Sequence, residues 1–289
     1  MSKVYDILII GGGPAGYTAA LYGARSGFAT AVLEKLSPGG QMATTSDVEN
    51  YPGFPGVVDG FELGERMQEG AEKAGAETFF AEVSKVDLLA DPKVVETSEG
   101  TFLGRTVILA TGAHPRKLGI PQEEALVNRG VAYCATCDGN FYKDKVVVVN
   151  GGGNTAVGDA LYLAKLASKV YLVHRRDTLR ATPIYLQRLK DAGVEIIWNS
   201  VVSGLQADKK LTGVELTDVK TGEKRVLPAD GLFVAIGQLP ESSLAAGQVA
   251  TDKAGYIMAG EDTKTSVPGV FAVGDVRTKA VRQIITAGR

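Results

Sequence analysis

Two glycine-rich segments, Gly11-Gly12-Gly13-Pro14-Ala15-Gly16 and Gly151-Gly152-Gly153-Asn154-Thr155-Ala156, stand 140 positions apart, and the chain around them repeats in register. Downstream, Ala20-Leu21-Tyr22 falls on Ala160-Leu161-Tyr162 and Ala24 on Ala164. Upstream, Ile7-Leu8-Ile9-Ile10 lies over Val147-Val148-Val149-Asn150, short apolar runs that end at the glycines as buried parallel strands do. Each copy reads strand, tight turn, helix. A further apolar run, Thr30-Ala31-Val32-Leu33 or Val170-Tyr171-Leu172-Val173, completes a βαβ unit. The expected fold class is α/β with two Rossmann-like dinucleotide-binding domains, and 289 residues suit about two domains.

The glycines have separate jobs in such a unit. Gly11 permits the tight turn, Gly13 lets the backbone approach a pyrophosphate, and Gly16 lets helix pack closely on strand. In the second copy Gly151 and Gly153 repeat the first two roles and Ala156 takes the third place, where alanine is also accepted. Glycine turns between strand and helix are common for structural reasons alone, so it is the paired context that carries the assignment.

The end of the second strand selects the nucleotide. Glu34, 18 residues past Gly16, can accept hydrogen bonds from a ribose 2′-hydroxyl, so the first copy suits FAD or NAD. At the same offset the second copy has His174, then Arg175 and Arg176, with Arg180 a turn further on. Guanidinium groups bind a 2′-phosphate that a carboxylate would repel, so the second copy suits NADPH.

The only two cysteines, Cys134 and Cys137, lie between the two copies. A bridge between i and i+3 closes too small a loop to serve as a structural staple, and a reversible electron carrier is the better reading. Zinc is set aside, because Cys134, Cys137, His114 and His174 are the only soft or imidazole donors and contain no second paired motif. Asp138 is a candidate general acid for a departing thiolate; the other reading is that Asp138-Gly139 is simply a favoured turn pair.

Bulk composition excludes several classes. The formal charge of −2, from 31 basic and 33 acidic side chains, gives no electrostatic case for nucleic acid or an anionic membrane. Apolar runs are broken by glycine short of the ~18 residues that span a bilayer. The first residues lead into Gly11 without a cleavage site, so a cytoplasmic location is expected.

In this order, the motifs resemble the low-molecular-weight, bacterial-type NADPH-dependent thioredoxin reductases over the whole length. The resemblance rests on Cys134-Ala135-Thr136-Cys137-Asp138-Gly139, Gly151-Gly152-Gly153-Asn154-Thr155-Ala156 and His174-Arg175-Arg176-Asp177 with Arg180-Ala181. Gly39-Gly40-Gln41, Glu49-Asn50-Tyr51-Pro52-Gly53, Ala110-Thr111-Gly112-Ala113, Gly269-Val270-Phe271-Ala272-Val273-Gly274-Asp275 and Arg282-Gln283 add to it.

The resemblance implies an FAD domain, residues 1–114 and 245–289, split by an NADPH domain, residues 115–244, that carries the cysteines. It implies FAD contacts from Gly11, Gly13, Pro14, Ala15, Gly16, Glu34, Gly40, Gln41, Asn50, Thr111, Gly112, Gly274, Asp275, Arg282 and Gln283. For NADPH it implies Gly151, Gly153, Asn154, Thr155, Ala156, His174, Arg175, Arg176, Arg180, Ile236 and Gly237. His114 is expected only in a turn. Hydride would pass from NADPH to FAD, then electrons to the disulfide and on to thioredoxin, with Cys137 nearer the flavin and Cys134 the exchange partner. Flavin must face both nicotinamide and disulfide, so a domain rotation about residues 113–118 and 237–245 is expected.

The family is homodimeric. Its pattern continues past Arg-Gln into a glycine- and alanine-rich helix that caps the flavin, whereas the sequence in hand stops at Ala287-Gly288-Arg289; lack of that helix would bear on FAD affinity and dimer packing. Gly158-Asp159 stands where an acidic pair is frequent. The rival readings are a related flavin disulfide reductase for another acceptor, and a non-catalytic FAD- and NADPH-binding redox sensor.

Overall fold

The structure, a computed structural model, describes residues 3–45, 47–179 and 184–288; the expected site residue Arg180 lies outside them. The chain divides into two compact units, one of residues 1–114 and 239–289, the other of residues 115–238 inserted into it. Both are α/β.

In the first unit five parallel strands run in the order Glu77–Phe80, Thr30–Glu34, Val4–Ile10, Gly100–Leu109 and Val270–Ala272. Beyond the first half of Gly100–Leu109, the antiparallel strands Lys93–Thr97 and Val83–Asp87 extend the sheet. Both faces are buried, which is why the strands read as unbroken apolar runs. Leu8, Ile10, Leu33 and Leu109 point to one side, into a core with Val270 and Ile257. Ile9 and Val32 point to the other, against Tyr17 and Ala20 of the helix Pro14–Arg25.

The second unit repeats that order with strands Glu195–Ile197, Lys169–Val173, Val146–Gly151, Gly231–Ala235 and Val131–Ala132, all parallel. The helix Asn154–Leu163 covers one face through Ala156, Val157, Ala160 and Leu163. A three-stranded antiparallel sheet, Ser200–Ala207, Leu211–Asp218 and Lys224–Pro228, covers the other through Val202, Val214 and Leu216.

The second chain crossing falls at 238/239 instead of 244/245. The reason is packing, since Ala245 and the partly buried Leu244 join the core of the first unit.

Steric demand at the two strand-helix turns explains their composition. Gly11 has φ +108°, and a Cβ there would stand 2.5 Å from the Ala110 carbonyl oxygen. A Cβ on Gly16 would stand 1.9 Å from the Gly11 oxygen. In the second unit a Cβ on Gly151 would meet the Ala235 oxygen at 2.4 Å. Gly13 and Gly153 are different, because a Cβ on either meets nothing within 4 Å. Gly16→Ala is therefore expected to destabilise the protein by about 2 kcal/mol or more. Gly13→Ala should cost no more than about 1 kcal/mol; urea unfolding of both variants checks the contrast.

Candidate functional site

The helix Pro14–Arg25 begins at Gly13, whose open flank faces a cleft of about 590 Å³ in the first unit. Gly11, Gly13, Pro14, Ala15, Glu34, Gly40, Gln41, Thr111, Gly112, Gly274, Asp275 and Gln283 line it. These residues come from the carboxyl ends of parallel strands and the loops that follow, where open α/β sheets take their ligands. Gly40, at φ +56°, approaches Gly13 so closely that its Cβ would lie 3.4 Å from the Gly13 Cα.

Three expected residues lie off the wall. Gly16 is buried in the helix-strand contact, Asn50 donates through Nδ2 to Gln283 Oε1 at 3.2 Å, and the Arg282 guanidinium stacks 4.3 Å from the Tyr256 ring centre. Gln41 donates to the Ala113 carbonyl. Glu34 is already engaged on one side, its Oε2 accepting the Gly12 N–H at 2.6 Å and its Oε1 the Leu36 N–H at 3.1 Å. It orders the glycine turn as well as facing the cleft.

Asp275 is a partly desolvated carboxyl on the wall. Its Oδ1 is buried without a hydrogen bond among the described residues, with Lys279 Nζ at 3.6 Å. Burial pushes the Asp275 carboxyl up, against the opposing pull of Lys279 and Arg282. Burial likewise pushes the Lys279 ammonium down. Lys279 also donates to the Thr286 carbonyl at 2.8 Å, tying this loop to the helix Ile284–Ala287, whose Ile284 and Ala287 line the cleft.

Sequence reasoning missed Glu241, Ser243, Leu244 and residues 81–83, all of which line the cleft. Residues 81–83 follow the strand Glu77–Phe80, and a strand end at the ligand edge was their available signal. Glu241 had none, because it reaches the site only after the whole second unit. There its backbone oxygen accepts Thr111 Oγ1 at 2.5 Å, its N–H donates to Gly112 O at 2.9 Å, and its Oε1 lies 2.6 Å from His114 Nδ1. His114 belongs to the short strand Ala113–Pro115 and lines the cleft, so the expectation of a turn residue is corrected.

In the second unit Gly151, Gly153, Asn154, Thr155, Ala156, His174, Arg175, Arg176, Ile236 and Gly237 gather at the carboxyl edge of its parallel strands. His174 is buried against Gly152, where a Cβ would meet the imidazole at 2.2 Å, and it stands edge-on to Trp198. It thus takes Glu34's place in the architecture, beside the middle glycine, while Arg175 and Arg176 are exposed. Neither arginine is held in an ion pair among the described residues. Gly237, at φ +111°, accepts the Arg116 N–H at 2.9 Å.

Cys134 and Cys137 are joined Sγ to Sγ across one helical turn, Ala135–Asp138, with Cα atoms 5.3 Å apart. Asp138 donates its N–H to the Cys134 carbonyl at 3.1 Å. The Asp138-Gly139 reverse turn is not formed: Gly139 has φ −58° and continues helically. Packing explains the glycine instead, since a Cβ would stand 2.8 Å from Tyr162 Cε1 and 3.2 Å from Leu163 Cδ2. Burial alone pushes the Asp138 carboxyl from its ordinary 3.8 up to about 6.

A carboxyl raised in this way stabilises the fold when protonated, below its ordinary range, and loses that contribution as pH rises through about 6. Asp138→Asn is therefore expected to resist urea better than the parent at about pH 7.5, with the difference vanishing near about pH 4. Urea midpoints at the two pH values check the sign.

Among the described residues no helix is long and apolar enough to cross a membrane, and no cluster of His, Cys, Asp and Glu could hold a metal ion. The sequence model of the family described as pyridine nucleotide-disulphide oxidoreductase matches residues 5–289. The chain is 45% identical over 287 residues to the thioredoxin reductase of Listeria monocytogenes, covering 99% of this chain and 90% of that one. It is 47% identical over 291 residues to that of Streptomyces clavuligerus, again with 99% and 90% covered. Among solved structures, thioredoxin reductase from Streptococcus pyogenes MGAS5005 superposes with a TM-score of 0.90 at 44% identity, covering 100% of this chain and 94% of that one. With a disulfide on a helical turn and two dinucleotide folds in one chain, these likenesses have a single reading: the chain belongs to the pyridine nucleotide-disulphide oxidoreductase family, among its low-molecular-weight thioredoxin reductases.

Proposed function

We propose that the chain is an NADPH-dependent thioredoxin-disulfide reductase, taking two electrons from NADPH by way of FAD to the Cys134–Cys137 disulfide and passing them to oxidised thioredoxin. The observation that carries this reading is the disulfide itself, closed across a turn that also carries the half-buried carboxyl of Asp138, in a chain with two dinucleotide folds.

The first unit fits FAD. Gly13 leaves the helix start open to a pyrophosphate, and Asp275 offers a buried oxygen that has no hydrogen-bond donor among the described residues. Gly11, Pro14, Ala15, Gly40, Gln41, Thr111, Gly112 and Gly274 shape the same cleft, with Glu34 and Gln283 on its wall and Asn50 holding Gln283. Bound FAD supplies a two-electron relay between nicotinamide and disulfide. The second unit would take NADPH at Gly151, Gly153, Asn154, Thr155 and Ala156, with Arg175 and Arg176 free to meet a 2′-phosphate and His174 seating the loop.

The reduced pair then performs exchange with balanced electrons. One thiolate, assigned to Cys134, attacks the acceptor disulfide and forms a mixed disulfide, releasing the first acceptor thiolate, which takes up a proton. Cys137 attacks the Cys134 sulfur, releases the second acceptor thiol and closes the bridge again. Asp138, next to Cys137 in the chain and with its affinity for the proton raised into the working range, is the group we assign to hold and give that proton. We also read the protein as a cytoplasmic homodimer, for which the exposed Tyr22, Phe61 and Ile285 of the first unit supply apolar surface.

Purified protein given FAD, NADPH and thioredoxin is expected to oxidise NADPH in proportion to thioredoxin, and Cys137→Ser to abolish that turnover. Asp138→Asn, with the carboxyl lost but the side chain nearly isosteric, should lower it; unchanged turnover dismisses the acid role. Removing both Arg175 and Arg176 should reduce the preference for NADPH over NADH by up to roughly two to four powers of ten, read from kcat/KM for the two nucleotides.

A further inference from the structure

Glu123 is 2 % exposed, a rare setting for a carboxylate. No cation pairs with it among the described residues; the adjacent Lys117 is engaged instead with Glu124 at 2.5 Å. Its oxygens are satisfied by hydrogen bonds. Oε1 accepts the Leu118 N–H and the Tyr133 hydroxyl, each at 2.8 Å, and Oε2 accepts the Gly119 N–H at 2.8 Å. A buried carboxylate is tolerated when donors fill its lone pairs, and three are filled here.

The partners are informative about purpose. Leu118 and Gly119 belong to the segment that opens the second unit just after Pro115. Tyr133 lies between the edge strand Val131–Ala132 and Cys134, the residue from which the disulfide turn starts. Two of the three hydrogen bonds build the local turn around 118–123, and the third reaches ten residues along the chain to the position just before the redox sulfur. Burial and the Glu123 contact both push the Tyr133 phenol upward, so it remains a donor at any working pH.

We propose that Glu123 is a positioning residue of the redox centre, holding the backbone that enters Cys134 through the Tyr133 hydroxyl so that the sulfur meets an incoming disulfide in one orientation. Near-attack geometry is steeply sensitive to such placement, and a displacement of about 1 Å can cost on the order of a hundredfold in rate. The proposal rests on the exchange chemistry of the preceding subsection.

Tyr133→Phe isolates the tether, because Glu123 keeps both backbone donors and its turn. Protein reduced by NADPH is mixed with a small aromatic disulfide, 5,5′-dithiobis(2-nitrobenzoate), and the rate of exchange is followed; NADPH-dependent ferricyanide reduction, drawn from the flavin, and the urea midpoint are measured alongside. Exchange is expected to slow about tenfold in Tyr133→Phe with the other two readouts nearly unchanged. Glu123→Gln, whose amide can still bond the Tyr133 hydroxyl, should exchange faster than Glu123→Ala. An unchanged exchange rate in Tyr133→Phe overturns the proposal, as does a parallel fall in exchange, ferricyanide reduction and urea midpoint. If the parent protein reduces the small disulfide but not thioredoxin, the acceptor assigned above is wrong and the positioning role is still decided by the variants.

Discussion

Backbone meeting backbone at the strand-helix turn is the constraint on which the rest of this structure depends. The start of Pro14–Arg25 can lie against the sheet only because a side chain is missing from Gly16, where a Cβ would stand 1.9 Å from the Gly11 oxygen. That contact aims the amide end of the helix at the cleft and leaves the Gly13 flank open. In the second unit Ala156 takes the place of Gly16, and a Cβ on Gly151 would crowd both Ala156 and the Ala235 oxygen. Dense packing below each turn and open space above it are two consequences of one steric arrangement.

Around these turns the charges are handled by burial and hydrogen bonds more than by ion pairs. Asp138 is desolvated and its proton affinity rises to about 6. Asp275 and Lys279 are 3.6 Å apart and each is pushed toward its neutral form, chiefly by burial. Glu123 has no cation among the described residues and relies on three donors. Carboxyls kept in such settings respond to small changes nearby, since a lost donor is not replaced by water. The exposed ion pairs, such as Lys35 with Glu82, contribute little by comparison.

The fold and the cofactor edges were legible because their causes are local in sequence. Unbroken apolar runs buried on both faces, glycines forced by close approach and a cysteine pair at i and i+3 all express demands that act over a few residues. Of the residues that line the cleft, Gly11 and Glu34 could be proposed for the same reason, whereas Thr111 and the role of Asp275 came from the family resemblance of their motifs. His114, read as a turn residue, stands in a short strand, and the turn reading of Asp138-Gly139, the alternative to a general acid, fails because propensity weighs the pair and ignores what packs on it; here Tyr162 and Leu163 demand the glycine.

Sequence alone therefore established two dinucleotide-binding motifs in order along the chain and a redox pair between those motifs, because sterics and periodicity are written along the chain. It could not place Glu241 beside Thr111 and His114, join Asn50 to Gln283 or bring Tyr133 onto Glu123. Nor could it locate the second crossing at 238/239, which depends on Leu244 and Ala245 entering the core of the first unit. Those outcomes belong to the tertiary structure, since a polar side chain takes whatever partner is left to it once distant strands have closed and water has been removed.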